Sequence, residues 1–221
     1  MSTCSLCLTQ ISNHAAFCHR CSDSLRNTTP RCHSCGIELA TSNTHCGECL
    51  SHPPEFDRTL VAARYAPPID QLIHQFKYNG DLRKGRILTE WLNSTLPQSK
   101  PDLLIPMPLS PARLQERGFN QSAELARLLS QRCQIPVSYD LLKRHNSETQ
   151  QIHLKRKERL SEMRKVFYTD QQIKVRSVSL IDDVVTTTAT ARAAARVLKK
   201  AGVKEVIIWA VARTPRPNDK D

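Results

Sequence analysis

Four Cys-x-x-Cys pairs open this chain, Cys4 and Cys7, Cys18 and Cys21, Cys32 and Cys35, Cys46 and Cys49, with a strict period of fourteen. Between the pairs lie polar, His- and Ser-containing stretches that cannot build a hydrophobic core. The first fifty residues therefore need a cross-link to fold at all. One Cys-x-x-Cys pair presents two thiolates on a tight turn at the bite that tetrahedral zinc prefers, and two pairs complete a Cys4 site. Four pairs make two Zn²⁺ sites, and a site of four thiolates keeps no open position, so the metal is expected to be structural. A disulfide framework competes, but MSTCSLCLTQ has neither a basic nor an apolar leader region, and reducing compartments disfavour disulfides. Iron–sulfur ligation uses the same thiolate set. Neighbouring pairs can combine, or the sites can be cross-braced; the spacing fits both. With thiolates sufficient, His14, His19, His33, His45 and His52 are read as bystanders, and Cys133 as a buried apolar residue on a helix.

Pro53 and Pro54 close this module, and the composition then changes. Residues 56–66 alternate like a strand or strand pair, and 69–78 place Ile69, Leu72, Ile73 and Phe76 on one helical face. A second amphipathic helix is expected over 81–96, a short buried strand over 102–109, and a helix over roughly 111–132. A basic polar segment follows from Lys143 to Lys165, with a helix-like core at about 154–164. Then come the apolar strand Val178–Ile181, an Ala-rich helix over 189–201 capped by Gly202, and the strand Val206–Val211. Alternating strands and helices of this kind imply an α/β fold, a mainly parallel sheet flanked by helices. The expected organisation is a zinc-binding double ribbon over 1–52, an α/β domain over 53–214 and a tail over 215–221.

The most informative segment is Val178-Ser-Leu-Ile-Asp182-Asp183-Val-Val-Thr186-Thr187-Thr188-Ala189-Thr190. Amides at a helix start, with threonine hydroxyls beside them, can surround a phosphate. Two carboxylates just before can accept hydrogen bonds from ribose hydroxyls. The plainer alternative is that Thr186 to Thr190 only cap a helix, since Ser, Thr and Asp are ordinary capping residues.

This segment resembles the phosphoribosyl pyrophosphate signature of type I phosphoribosyltransferases. Further motifs narrow the resemblance to the ComF/GntX family, linked to natural competence and the use of external DNA. They are the cysteine pairs, Tyr-Ala-Pro-Pro-Ile (65–69), Leu-Ile-His-Gln-Phe-Lys-Tyr (72–78), Pro106-x-Pro108 with Arg113 and Arg117-Gly-Phe-Asn-Gln-Ser122, and Gln151-x-x-Leu154 with Arg159. The resemblance covers nearly the whole chain. It implies a type I phosphoribosyltransferase-like domain in which Asp182, Asp183, Thr186, Thr187, Thr188, Ala189 and Thr190 hold the ribose and 5′-phosphate of phosphoribosyl pyrophosphate (PRPP). Thr188 stands where the family usually has Gly. That Gly adopts positive φ at little cost, which a β-branched residue does not.

In type I phosphoribosyltransferases a loop after the strand equivalent to 102–109 contacts pyrophosphate. The resemblance thus makes Arg113 and Arg117 candidates for the leaving-group anion, with Lys77 nearby, and Mg²⁺ accompanies PRPP. A four-residue spacing puts both arginines on one helical face; a solvated face pairing with Glu116 and Glu124 is the alternative. Tyr78 can stack on a base or pack. Residues 143–176 hold ten basic side chains against four acidic ones. Within them Gln151, Lys155, Arg156 and Arg159 are expected to form a hood over the sugar or to track a nucleic-acid backbone.

Charge bears on partners. The chain carries +11, whereas residues 1–52 carry three basic and three acidic groups, so the whole excess lies beyond them. Such a field attracts polyanions. Aromatics make up only 5% of the residues, which favours phosphate contact over a base-stacking platform. The resemblance implies a cytoplasmic PRPP-binding protein of natural transformation that handles incoming single-stranded DNA. Its expected partners are a helicase, a recombination mediator or the uptake machinery at the inner membrane face. The alternative is an active phosphoribosyltransferase with an unidentified nitrogenous acceptor. A zinc-ribbon transcription regulator is a weaker third reading, because the neutral module lacks the charge of a DNA-reading finger.

Overall fold

A computed structural model describes residues 2–11, 15–25, 29–145 and 166–215. The amino-terminal module is short elements around its thiols: β1 (Ser2–Thr3) pairs with β2 (Gln10–Ile11), followed by α1 (His19–Leu25) and α2 (Gly47–Ser51). The α/β domain runs β3 (Arg58–Arg64), α3 (Ile69–Tyr78), α4 (Leu82–Thr95), β4 (Leu103–Pro106), α5 (Pro111–Arg117), α6 (Gln121–Cys133), β5 (Lys143–Arg144), β6 (Phe167–Tyr168), β7 (Ser177–Val185), α7 (Ala189–Lys200) and β8 (Glu205–Arg213).

Strands β3, β8, β7 and β4 lie side by side in that order, every pair parallel. The expected architecture, a parallel sheet flanked by helices behind a cysteine module, is the one found. Strand β8 reads as an almost unbroken apolar run because both its faces are covered. Its side chains alternate between two cores. Ile207, Trp209 and Val211 pack with α3, α4 and α6, while Val206, Ile208 and Ala210 pack with α7 and the β5–β6 hairpin.

Neither edge of the sheet is bare. On β3 the Thr59 amide donates to His33 O at 3.2 Å and the Thr59 hydroxyl to Ser34 O at 2.6 Å, so the third cysteine pair lies along that strand. On β4, Leu104 N donates to Pro136 O at 2.9 Å and Ser138 N to Leu104 O at 3.0 Å.

The polar stretches between cysteines build little core of their own, yet they are not idle. Phe17, 3% exposed, sets its ring edge on Trp91 of α4 with centroids 5.5 Å apart, which docks the first two pairs on the α/β domain. The other two pairs surround Ile37 in a small cluster.

Two expectations need correction. The helix expected over 111–132 is two helices, because Gly118 turns left-handed at φ 75° and ends α5. Asn120 then restarts the chain by accepting from the Ser122 and Ala123 amides at 3.0 and 3.3 Å. The strand expected to stop at Ile181 continues to Val185, so Asp182 and Asp183 lie within β7. The segment 154–164, His14 and residues 216–221 fall outside the described residues. No described helix is long and apolar enough to cross a membrane.

Candidate functional site

In a parallel sheet the loops at the carboxyl ends of the strands form the crevice in which ligands sit. Here those ends deliver Asp182 and Asp183 of β7, the Thr186–Thr188 turn, and the Pro106-Met107-Pro108 exit of β4. Helices α3 and α6 pack against the same region and bring Lys77, Gln121 and Ser122.

The turn between β7 and α7 is open. Thr186, Thr187 and Thr190 are exposed. Among the described residues, the backbone amides from Thr187 to Ala191 donate to no acceptor, and the first bonded amide of the helix is Arg192 N on Thr188 O at 2.8 Å. No side chain caps this twelve-residue helix. Its start is thus a row of free donors at the positive end of a helix dipole, an arrangement that suits an anion. Thr188 itself has φ 60° and ψ −10° and is buried. The left-handed conformation that a Gly would take is imposed on a β-branched residue.

The two carboxylates differ. Asp183 is 7% exposed and its Oδ1 lies 2.9 Å from Lys77 Nζ. Asp182 Oδ1 accepts from the Asp183 amide at 2.9 Å and from the Ser122 hydroxyl at 3.3 Å. Loss of water, and then the adjacent Asp183 charge, push the Asp182 carboxyl up to about 7. Lys77 and Ser122 oppose that rise.

Lys77 therefore faces Asp183. Its carbonyl accepts from Gln121 Nε2 at 3.4 Å, while Gln121 Oε1 accepts from Arg117 at 3.2 Å. Arg117 also donates to the Tyr78 hydroxyl at 3.4 Å and lies over that ring, 5.1 Å from its centroid. Its buried Nε has no acceptor among the described residues. A connected series thus runs from Asp183 through Lys77 and Gln121 to Arg117. The alternative pairing of Arg117 with Glu124 is not made, since Glu124 binds Arg127 at 2.7 Å. Tyr78 lies beneath Arg117 and sets its ring at a tilt of 40° to that of His74. Arg113 is exposed on α5 and close enough to Arg144 for its charge, after burial, to lower the Arg144 pKa.

Sequence reasoning assigned no role to Ser122, Gln121 or Arg144. Ser122 and Gln121 lie within the Arg117–Ser122 motif, and the signal for them was their place just after the Asn120 cap. Arg144 was one cation among ten in its segment, with nothing to single it out. Gln151, Lys155, Arg156 and Arg159 lie outside the described residues. The hairpin that flanks them is formed, with Arg144 opposite Phe167 and His145 N on Val166 O at 2.9 Å.

The thiols assemble by neighbouring pairs. Cys4, Cys7, Cys18 and Cys21 form one group and Cys32, Cys35, Cys46 and Cys49 another, with sulfurs within 4.8 Å of one another. Among the described residues, no His joins either group. Cys7 and Cys18 Sγ stand 3.7 Å apart, as do Cys35 and Cys46 Sγ. A tetrahedron with metal–sulfur bonds of about 2.3 Å has edges of about 3.8 Å, so both groups fit such an ion. The Cys46 amide donates to Cys32 Sγ at 3.3 Å, a contact that steadies a thiolate. Cys133 donates to Asn93 Oδ1 at 2.9 Å, apart from both groups.

No protein-family model matches the chain. Curated relatives do. Competence protein F of Haemophilus influenzae is 31% identical over 177 residues, covering 76% of this chain and 77% of that protein. DNA utilization protein YhgH of Escherichia coli K12 is 31% identical over 175 residues, with the same coverage. Competence protein ComFC of Bacillus subtilis is 34% identical over 142 residues, covering 62% of this chain and 56% of its own length. Among solved structures, glutamine PRPP amidotransferase of Bacillus subtilis is similar at a TM-score of 0.39 and 17% identity, over 56% of this chain and 24% of that one. Orotate phosphoribosyltransferase of Aeropyrum pernix is similar at 0.38 and 13%, over 59% and 61%.

Proposed function

The chain belongs to the ComF family of competence and DNA-utilisation proteins, and from that premise we propose that it binds PRPP with Mg²⁺ and acts in the cytosolic handling of incoming single-stranded DNA. The observation that carries this reading is the β7–α7 turn, where amides without acceptors stand one turn beyond Asp182 and Asp183. Free donors at a helix start take the 5′-phosphate, and the acids take the ribose hydroxyls. Arg117, with Arg113 and Arg144 nearby, supplies cations for the pyrophosphate, and Mg²⁺ arrives with the diphosphate oxygens. Lys77 balances Asp183 until a ligand is present. The two thiol groups hold structural Zn²⁺.

Titration calorimetry with PRPP and Mg²⁺ tests the site. Saturable binding that disappears in Asp182→Ala/Asp183→Ala is expected; no heat with the intact, metal-loaded chain overturns the reading. Single-stranded DNA engages the excess basic charge beyond residue 52 through its phosphates, so its affinity should fall steeply as salt rises. Handover to a helicase, a recombination mediator or the membrane-side uptake machinery belongs to the same proposal.

Ribosyl transfer is the second reading, favoured by the buried Arg117 Nε, which lacks an acceptor among the described residues and would stabilise departing pyrophosphate. Release of pyrophosphate on adding a nitrogenous acceptor distinguishes transfer from binding alone.

A further inference from the structure

Arg213 ends β8 after eight residues of which all but Glu205 are apolar, and it is 6% exposed. Its guanidinium joins two parts of the molecule. Nε donates to Cys35 O at 3.1 Å, inside the second thiol group. Nη1 donates to Val185 O at 3.1 Å, to Thr214 O at 2.9 Å and to Thr186 O, at the entry to the phosphate turn. Thr214 closes the arrangement, its amide reaching Val185 O at 3.1 Å. A guanidinium suits this place because its planar fork directs donors to both sides at once, which an ammonium cannot do. Beyond the turn, Arg192 in the first turn of α7 donates to His52 O at 2.7 Å and Pro53 O at 3.0 Å. The segment that carries the second thiol group is therefore fastened on both sides of the turn.

We propose that Arg213 is a positioning residue that couples the Cys32–Cys35–Cys46–Cys49 group to the Thr186–Thr190 turn, so that metal occupancy in that group sets how firmly the turn is held for an anion. The Cys35 carbonyl is fixed when the Cys35 sulfur is bound in the tetrahedron. Loss of the ion frees that peptide, the guanidinium follows it, and the Val185 and Thr186 carbonyls lose their common donor. The first thiol group packs through Phe17 on Trp91 and, among the described residues, has no such connection to the turn. The proposal rests on the reading of the turn as a phosphate site, but its coupling is measurable without ligand.

The test follows exchange by NMR at two bonded amides that bracket the turn, Thr214 N on Val185 O and Arg192 N on Thr188 O, in the full zinc-loaded chain. Arg213→Gln and Cys46→Ala should each speed exchange about tenfold, the size of one lost charge-assisted hydrogen bond. The double variant should be no faster than either single, and Cys7→Ala, which breaks the first group, should leave both amides unchanged. Amides in the middle of α6 report global loosening. If Arg213→Gln accelerates them too, Arg213→Lys replaces it, with faster exchange at the turn and normal protection in α6 expected. Additive singles, an equal effect of Cys7→Ala, or no response to Cys46→Ala overturns the coupling. PRPP titration of the same set separates the two ideas: coupled exchange without any PRPP binding by the parent chain defeats the functional reading alone.

Discussion

Lys77 Nζ stands 2.9 Å from Asp183 Oδ1, with both side chains largely withdrawn from water. The Asp183 carboxylate thus has its counter-charge within the chain itself. A ligand that takes Asp183 must share it with this ammonium or displace it.

Removing the ammonium leaves a buried carboxylate without its counter-charge. Lys77→Met is expected to cost about 2–4 kcal/mol in urea unfolding. Lys77→Met/Asp183→Asn should recover much of that loss, because the orphaned charge is gone. A double variant as unstable as the sum of the singles would show that the two side chains act separately.

Asp182 sets a pH dependence of opposite sign to that of an ordinary salt-bridged acid. Its carboxyl is raised from 3.8 to about 7 in the folded chain, so between those values the native state binds more protons than the unfolded state. Its contribution is favourable at low pH and is lost as pH rises through 7. Asp182→Asn should flatten the stability profile over that window and stabilise the protein by about 1–3 kcal/mol at pH 8, allowing for solvent screening. Parallel stability curves for parent and variant between pH 4 and pH 8, taken as roughly the window of this shift, would contradict this.

Thr188 holds φ 60°, a conformation costly for a β-branched side chain. Thr188→Gly should raise stability by about 1 kcal/mol, net of the extra freedom that glycine gives the unfolded chain. Thermal unfolding measures it. The same change should tighten PRPP binding, since the turn no longer bears that strain.

Gly36 has φ 70°, and a Cβ there would stand 2.7 Å from Val61 Cγ2 on β3. Gly36→Ala must strain the backbone and push the third cysteine pair off the strand. A loss of about 2–3 kcal/mol is expected, with faster release of one of the two zinc ions to a chromogenic chelator. Unchanged release would place the module's attachment elsewhere.

Much of this molecule was legible in its residues, for identifiable reasons. Helix α3 could be bounded at Ile69 and Tyr78 because four apolar residues mark its buried face. The Cys-x-x-Cys period announced two groups of four thiols, but only the fold distinguishes neighbouring from cross-braced pairing, since one spacing serves both. The break at Gly118 was missed because apolar and charged residues continue across it in helical phase, and one positive-φ glycine outweighed that pattern. The pairing of Lys77 with Asp183 joins residues more than a hundred positions apart, beyond any local pattern. Arg213 had a faint local mark, a lone cation ending an apolar strand, whose meaning depends on the carbonyls of two other segments.

The lodging of His33 and Ser34 along Thr59 also concerns how the protein survives at high concentration. An uncovered outer strand is a template on which another chain can extend the sheet. In this fold the lid over that template is a loop with scarcely any core, held in shape by its thiols. Zinc starvation should therefore first make the protein self-associate, with the helices and sheet still intact.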